Sequence, residues 1–96
     1  MSQPVAVSCH EAEDGWTCRV TVGDDAGATT HDVTVSRELL GQLRPGDATP
    51  DRLVADAFAF LLAREPRESI LRSFDLPVIG RYFPGWEAEI RKRPAG

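Results

Sequence analysis

Apolar residues alternate with polar or small ones in three short stretches at the start of the chain, and then the spacing changes. Val5, Val7 and Cys9 form the first stretch. Trp16, Cys18, Val20 and Val22, interleaved with Thr17, Arg19 and Thr21, form the second. His31, Val33 and Val35, interleaved with Asp32, Thr34 and Ser36, form the third. A period of two sends alternate side chains to opposite faces of a strand. Glu13-Asp14-Gly15 and the loop from Gly23 to Ala28 supply the turns. The economical arrangement is a three-stranded antiparallel meander with one apolar face.

After Ser36 the spacing becomes helical. Ser36 can cap a short helix from Arg37 to Leu43, with Leu39, Leu40 and Leu43 inward, and Pro45-Gly46 ends it. The longest apolar run follows, Thr49 to Pro66. Thr49 is placed to cap it through its hydroxyl, Pro50 fits the first helical position, and Asp51 suits the positive end of the helix dipole. At about 100° per residue, Leu53, Val54, Ala57, Phe58, Phe60, Leu61 and Leu62 sweep roughly half the circumference. A surface helix shows a narrower stripe, so this helix is expected to be packed on two sides or against a second copy. Pro66 opens a third expected helix, PRESILRSF, with Ile70, Leu71 and Phe74 apolar. Asp75 can cap a fourth, short one containing Val78, Ile79, Tyr82 and Phe83, broken at Pro84-Gly85. Trp86 and Ile90 mark a last turn or two. The fold class expected is α+β: the meander followed by three to five helices packed on one face, in a single domain over residues 1–96, with 1–3 and 92–96 frayed.

Composition changes this picture little. The chain has 96 residues, with 42% hydrophobic and 27% charged residues, ordinary for one globular domain. The formal net charge of −4 disfavours a general nucleic-acid binder. That charge is uneven. Residues 1–35 hold Glu11, Glu13, Asp14, Asp24, Asp25 and Asp32 against Arg19, and residues 36–96 sum to +1. Solvated loops are the preferred explanation. Met1–Glu11 lacks a basic start and a continuous apolar core, so no signal peptide is expected. No run approaches the ~20 apolar residues of a membrane span. The expectation is a cytoplasmic bacterial protein with no membrane contact.

Chemistry is sparse. If Glu11 faces Trp16, Cys9 lies opposite Cys18. Two buried thiols in a reducing cytosol is the preferred reading, with a redox-sensitive pair and a zinc site as alternatives. There is no phosphate loop, no G-x-S-x-G, no H-E-x-x-H and no C-x-x-C. The expectation is a non-enzyme with no cofactor, no metal and no identifiable small-molecule ligand.

Three resemblances bear on function. HDVTVS, RELLGQLRPG and ATPDRLVADAFAFLLARE, residues 31–65, resemble a ribbon-helix-helix unit. That resemblance implies a dimer paired through the strand, Asp32, Thr34 and Ser36 in the major groove, and a phosphate contact at Thr49. PRESILRSF-DLP-VIGRYF is similar in layout to a helix-turn-helix, with Arg81 and Tyr82 on the second helix and Arg67 and Arg72 nearby. Two amphipathic helices packed on the central one is the preferred reading. Residues from about His31 to Ile90, through LVADAFAFLL, REPRESIL and SFDLPVIGRYFP, resemble a family of small, functionally uncharacterised bacterial proteins. That implies a shared fold and brings no catalytic residues.

The function expected is therefore macromolecular binding, to a protein partner or to a second copy. The candidate surface is Arg72, Phe74, Arg81, Tyr82, Phe83 and Trp86, because aromatics and arginine are enriched at interface hot spots. The alternative is a DNA-binding regulator using Asp32, Thr34, Ser36 and Thr49.

Overall fold

A computed structural model describes residues 4–44 and 49–92. Strands β1 (Val5–Ala12), β2 (Gly15–Val22) and β3 (Thr29–Ser36) form the expected meander. Helices α1 (Arg37–Leu43) and α2 (Pro50–Leu62) follow. A 3-10 turn at Arg67–Ser69 leads into β4 (Ser73–Asp75), and a second 3-10 turn, Leu76–Val78, runs into α3 (Ile79–Tyr82). Helix α4 (Trp86–Lys92) closes the described chain. Among the described residues no helix is long and apolar enough to cross a membrane.

The sheet has four strands in the order β1-β2-β3-β4. The first three are antiparallel, with Cys9 opposite Cys18 and Cys18 opposite Val33. Strand β4 lies parallel to β3, with Phe74 opposite Val33. The expected three-stranded meander is thus the larger part of a mixed sheet. The expected helix PRESILRSF is replaced by the 3-10 turn and β4. The open edge of β3 competes for this backbone: the Asp32 N–H donates to the Arg72 carbonyl at 2.7 Å. A nine-residue amphipathic helix is marginal by itself, and sheet pairing prevails. No helix-turn-helix remains in this segment.

Helix ends follow local chemistry. The Leu39 N–H donates to Ser36 Oγ at 3.0 Å, as expected of the cap on α1. Thr49 has the extended conformation of an N-cap, but its hydroxyl makes no capping bond. Asp75 likewise precedes its helix without capping it; its carboxylate accepts from the Thr34 hydroxyl instead. Helix α2 ends at Leu62, short of Pro66, since the residue before a proline is pushed out of helical conformation. Lys92, expected in a frayed tail, belongs to α4. Residues 1–3, 93–96 and Pro45-Gly46 lie outside the described residues.

Burial explains the layering. Cys18, Val20, Val22, Val33 and Val35 are buried on one sheet face, while Thr17, Arg19, Thr30 and Thr34 on the other are exposed. The helices cover the apolar face. From α2, Leu53, Val54, Ala57, Phe58, Phe60 and Leu61 are buried. The Phe58 ring lies 5.3 Å from His31 and 6.2 Å from Phe74, and the Phe60 ring meets Phe83 edge-on at 5.9 Å. Both expected claims on α2 are met, by the sheet and by the C-terminal turns, so its broad apolar arc is spent inside the chain.

Cys9 and Cys18 are joined in a disulfide. This corrects the preferred expectation of two separate thiols. The ladder gives the reason. Gly23 N–H donates to the Pro4 carbonyl, so Pro4 and Gly23 form a hydrogen-bonded pair. Such pairs alternate with closer, non-hydrogen-bonded ones along antiparallel strands. Counting along the register puts Cys9 and Cys18 at a close position, with both side chains on the core face.

Candidate functional site

The C-terminal half of α2 and the segment from Ser69 to Phe83 enclose a small cleft of about 170 Å³. Leu61 and Glu65 line one wall, and Leu71, Phe74, Tyr82 and Phe83 are among the residues lining the other. Leu76 and Ile79 are buried and hold the floor of the segment against the core. Leu71 is 46% exposed and Tyr82 65% exposed. These are the large hydrophobic residues left exposed among the described residues, and both line this one cleft.

Of the six residues expected at the surface, the structure gathers three in the cleft wall. Phe74 and Phe83 are half-buried and Tyr82 is exposed. Arg72 and Arg81 are exposed neighbours of wall residues, and neither takes part in an ion pair among the described residues. Trp86 is 1% exposed and belongs to the core. It starts α4 and lies against Gly80, where an added Cβ would sit 3.0 Å from the indole Nε1.

Leu71 was missed by sequence reasoning, which placed it inward on a helix. Its main chain is what faces the core: the Leu71 carbonyl accepts from His31 Nδ1 at 2.7 Å. Turning that carbonyl inward leaves the side chain at the cleft mouth. The HDVTVS strand carried a faint signal, an imidazole at a core-facing position that needs polar partners.

The four residues expected to contact DNA lie apart from the cleft. Asp32 is half-buried and pairs with Arg19 at 3.3 Å, on the polar face of the sheet. Thr34 is bound to Asp75, and Ser36 caps α1. Thr49 is exposed at the start of α2. Strand β3, which carries the first three, has β2 on one side and β4 on the other.

A second tie braces the cleft segment. The Arg67 guanidinium reaches the β2–β3 loop, donating to Asp25 at 3.1 Å and to Glu68 at 3.2 Å. It fills the space above Gly23, whose φ is +95° and whose Cβ, if present, would lie 2.2 Å from Arg67 Nη1. Glycine is favoured there by the left-handed backbone conformation, while the flexible Arg67 tip could move aside for a side chain. Glu68's own backbone N–H and the Arg67 guanidinium hold the Glu68 carboxyl below its ordinary range. Among the described residues, no three His, Cys, Asp or Glu side chains come together as a metal-binding group.

No protein-family model matches this chain, and no curated protein or solved structure shows a significant similarity to it.

Proposed function

We propose that the chain is a non-catalytic protein-binding module whose docking site is the cleft between α2 and the 69–83 segment. The observation that carries this reading is the convergence of Leu71 and Tyr82. Apolar side chains left in water cost free energy, and two that share one concave patch mark an interaction site better than scattered ones do. The size narrows the occupant. About 170 Å³ falls below the ~300–1,000 Å³ usual for small-molecule sites and suits one or two apolar side chains of a partner. Arg72 and Arg81 would favour acidic residues beside that anchor.

Protein is preferred to duplex DNA on two grounds. The net charge is −4, and β4 already occupies the edge of β3 from Asp32 to Thr34, where a twin strand would pair. The sequence led us to expect a cytoplasmic protein; the Cys9–Cys18 bridge favours an oxidising compartment instead.

The test compares binding partners recovered from the native host by wild type and by Leu71→Asp and Tyr82→Ala, each checked for folding by circular dichroism. Both residues are exposed, so both variants should fold. Loss of the same partner from both supports the cleft. An unchanged set overturns it. In parallel, tight duplex binding with a steep salt slope would favour the DNA-binding alternative.

A further inference from the structure

The first strand ends the sheet with an open edge. Among the described residues β1 pairs with β2 alone, and no strand lies on its other side. Because Pro4 and Gly23 form a hydrogen-bonded pair, Ala6, Ser8 and His10 also direct their backbone groups at β2. Val5, Val7, Cys9 and Glu11 direct theirs away from the sheet. An exposed row of this kind is a template for another strand, and proteins blunt it with prolines, lysines or short length. β1 has eight residues, with no proline and no lysine. The opposite edge strand, β4, has three.

A groove of about 330 Å³ runs between this edge and the start of α2, lined by Val5, Val7, Thr49, Asp51, Arg52 and Ala55. Asp51 and Arg52 are exposed, and neither is in an ion pair among the described residues. A neighbouring acid and base on one rim complement themselves under a two-fold axis, where the same patch meets itself reversed.

We propose that this edge seats a second copy of the chain. β1 pairs antiparallel with β1 of the second copy about a two-fold axis at Val7, joining the two sheets, and the two α2 helices flank the seam. Val5 then faces Cys9 of the second copy, and Val7 faces its own counterpart. Glu11, the carboxylate of the strand, falls at either end and does not meet itself, so no like charges are opposed across the seam. The half-buried Val5 and Val7 become covered. Asp51 of each copy approaches Arg52 of the other. The cleft lies beside β4 at the other edge of the sheet, so the dimer neither requires nor blocks a partner there.

Sedimentation equilibrium of the full chain over a concentration series tests this. Wild type should show the dimer mass, well populated at about 100 µM. Val7→Pro and Glu11→Pro each remove a donor that points outward and leave the β1–β2 ladder intact. Val7→Pro should be a folded monomer, and Glu11→Pro, which loses no buried side chain, should weaken the dimer from the end of the seam. Asp51→Arg and Arg52→Asp should each weaken the dimer about tenfold, the scale of one interfacial charge pair, and the double exchange should restore it. A wild type that remains monomeric overturns the proposal. So does a dimer that survives Val7→Pro, or a double exchange weaker than either single one.

Discussion

His31 Nδ1 donates to the Leu71 carbonyl at 2.7 Å, joining the centre of the sheet to the wall of the cleft across forty residues of chain. His31 is fully buried, and its other ring nitrogen, Nε2, accepts from the Thr29 hydroxyl at 2.9 Å. Leu71's carbonyl can only accept, so the imidazole carries its proton on Nδ1. Both ring nitrogens are satisfied inside the core, and the bond sets where the 69–83 segment begins.

Replacing His31 with Leu should therefore be costly. It keeps an apolar side chain of similar bulk but leaves the Leu71 carbonyl and the Thr29 hydroxyl without their buried partner. Each orphaned group costs about 1–3 kcal/mol, so a loss of about 2–6 kcal/mol is expected in urea unfolding. Thr29→Val should cost less, about 1–3 kcal/mol, since it orphans His31 Nε2 alone. An unfolding midpoint for His31→Leu equal to that of wild type would show that the bond holds nothing.

The parts legible in the sequence are those governed by local periodicity. β1, β2 and β3, α1 and the body of α2 each advertise themselves through spacing and caps, as Ser36 and Pro50 show. The apolar spacing of residues 66–74 fits a helix equally well, and what decides against one is the unfilled edge of β3 some forty residues earlier. A tertiary hydrogen bond such as Asp32 N–H to Arg72 O leaves no mark in either local pattern. The same applies to the cleft. Tyr82, Phe74 and Phe83 were identifiable by residue type, but Leu71 faces outward only because its carbonyl faces His31. Trp86 carried the same compositional signal as its neighbours and is core. Type alone does not separate an interface aromatic from a buried one.

Reduction of the Cys9–Cys18 bridge should weaken the fold without dissolving it. The bridge closes a loop with a sequence separation of nine residues, for which loop-closure entropy gives about 2–3 kcal/mol. The hairpin ladder and the packing of Val7 and Cys18 remain. Cys9→Ala combined with Cys18→Ala should reproduce the shift seen with reductant, and should itself be insensitive to reductant. Under denaturing conditions, a thiol-alkylating reagent should label the wild-type protein only after reduction. Labelling without reductant would contradict the bridge.

Glu68 links stability to pH on the acid side. Its carboxyl lies below the ordinary 4.5, held there by its own backbone N–H and then by Arg67. The folded value is below the unfolded one, so the group's stabilising contribution is present above about 4.5 and is lost as pH falls through the folded value. Glu68→Gln should therefore change little at very low pH, where both forms are neutral, and should lose stability relative to wild type above about 4.5. Arg67 retains Asp25 in that variant. Urea unfolding across pH 2–7 is the measurement; parallel wild-type and variant curves over the whole range would contradict the assignment.

The ion pair at the end of α1 makes the opposite point about charges. Arg44 is 6% exposed; its Nη2 donates to Asp56 of α2 at 2.5 Å and to the Ile90 carbonyl of α4 at 3.3 Å. Its Nε and Nη1 are buried with no hydrogen-bond partner among the described residues. A buried cation with three of its five N–H donors unpaired within the described residues gains little beyond the cost of leaving water. Removing its counter-charge is another matter. Asp56→Ala strands the guanidinium among Leu43, Ile90 and α2, and should cost about 3 kcal/mol, at the low end for buried pairs because Asp56 is partly exposed. Arg44→Met keeps the length and the apolar stem while discarding the charge, and should be close to neutral. The double variant should then recover most of what Asp56→Ala loses, a coupling that a double-mutant cycle reads directly. If Arg44→Met were as damaging as Asp56→Ala, the pair would be a net contributor to stability.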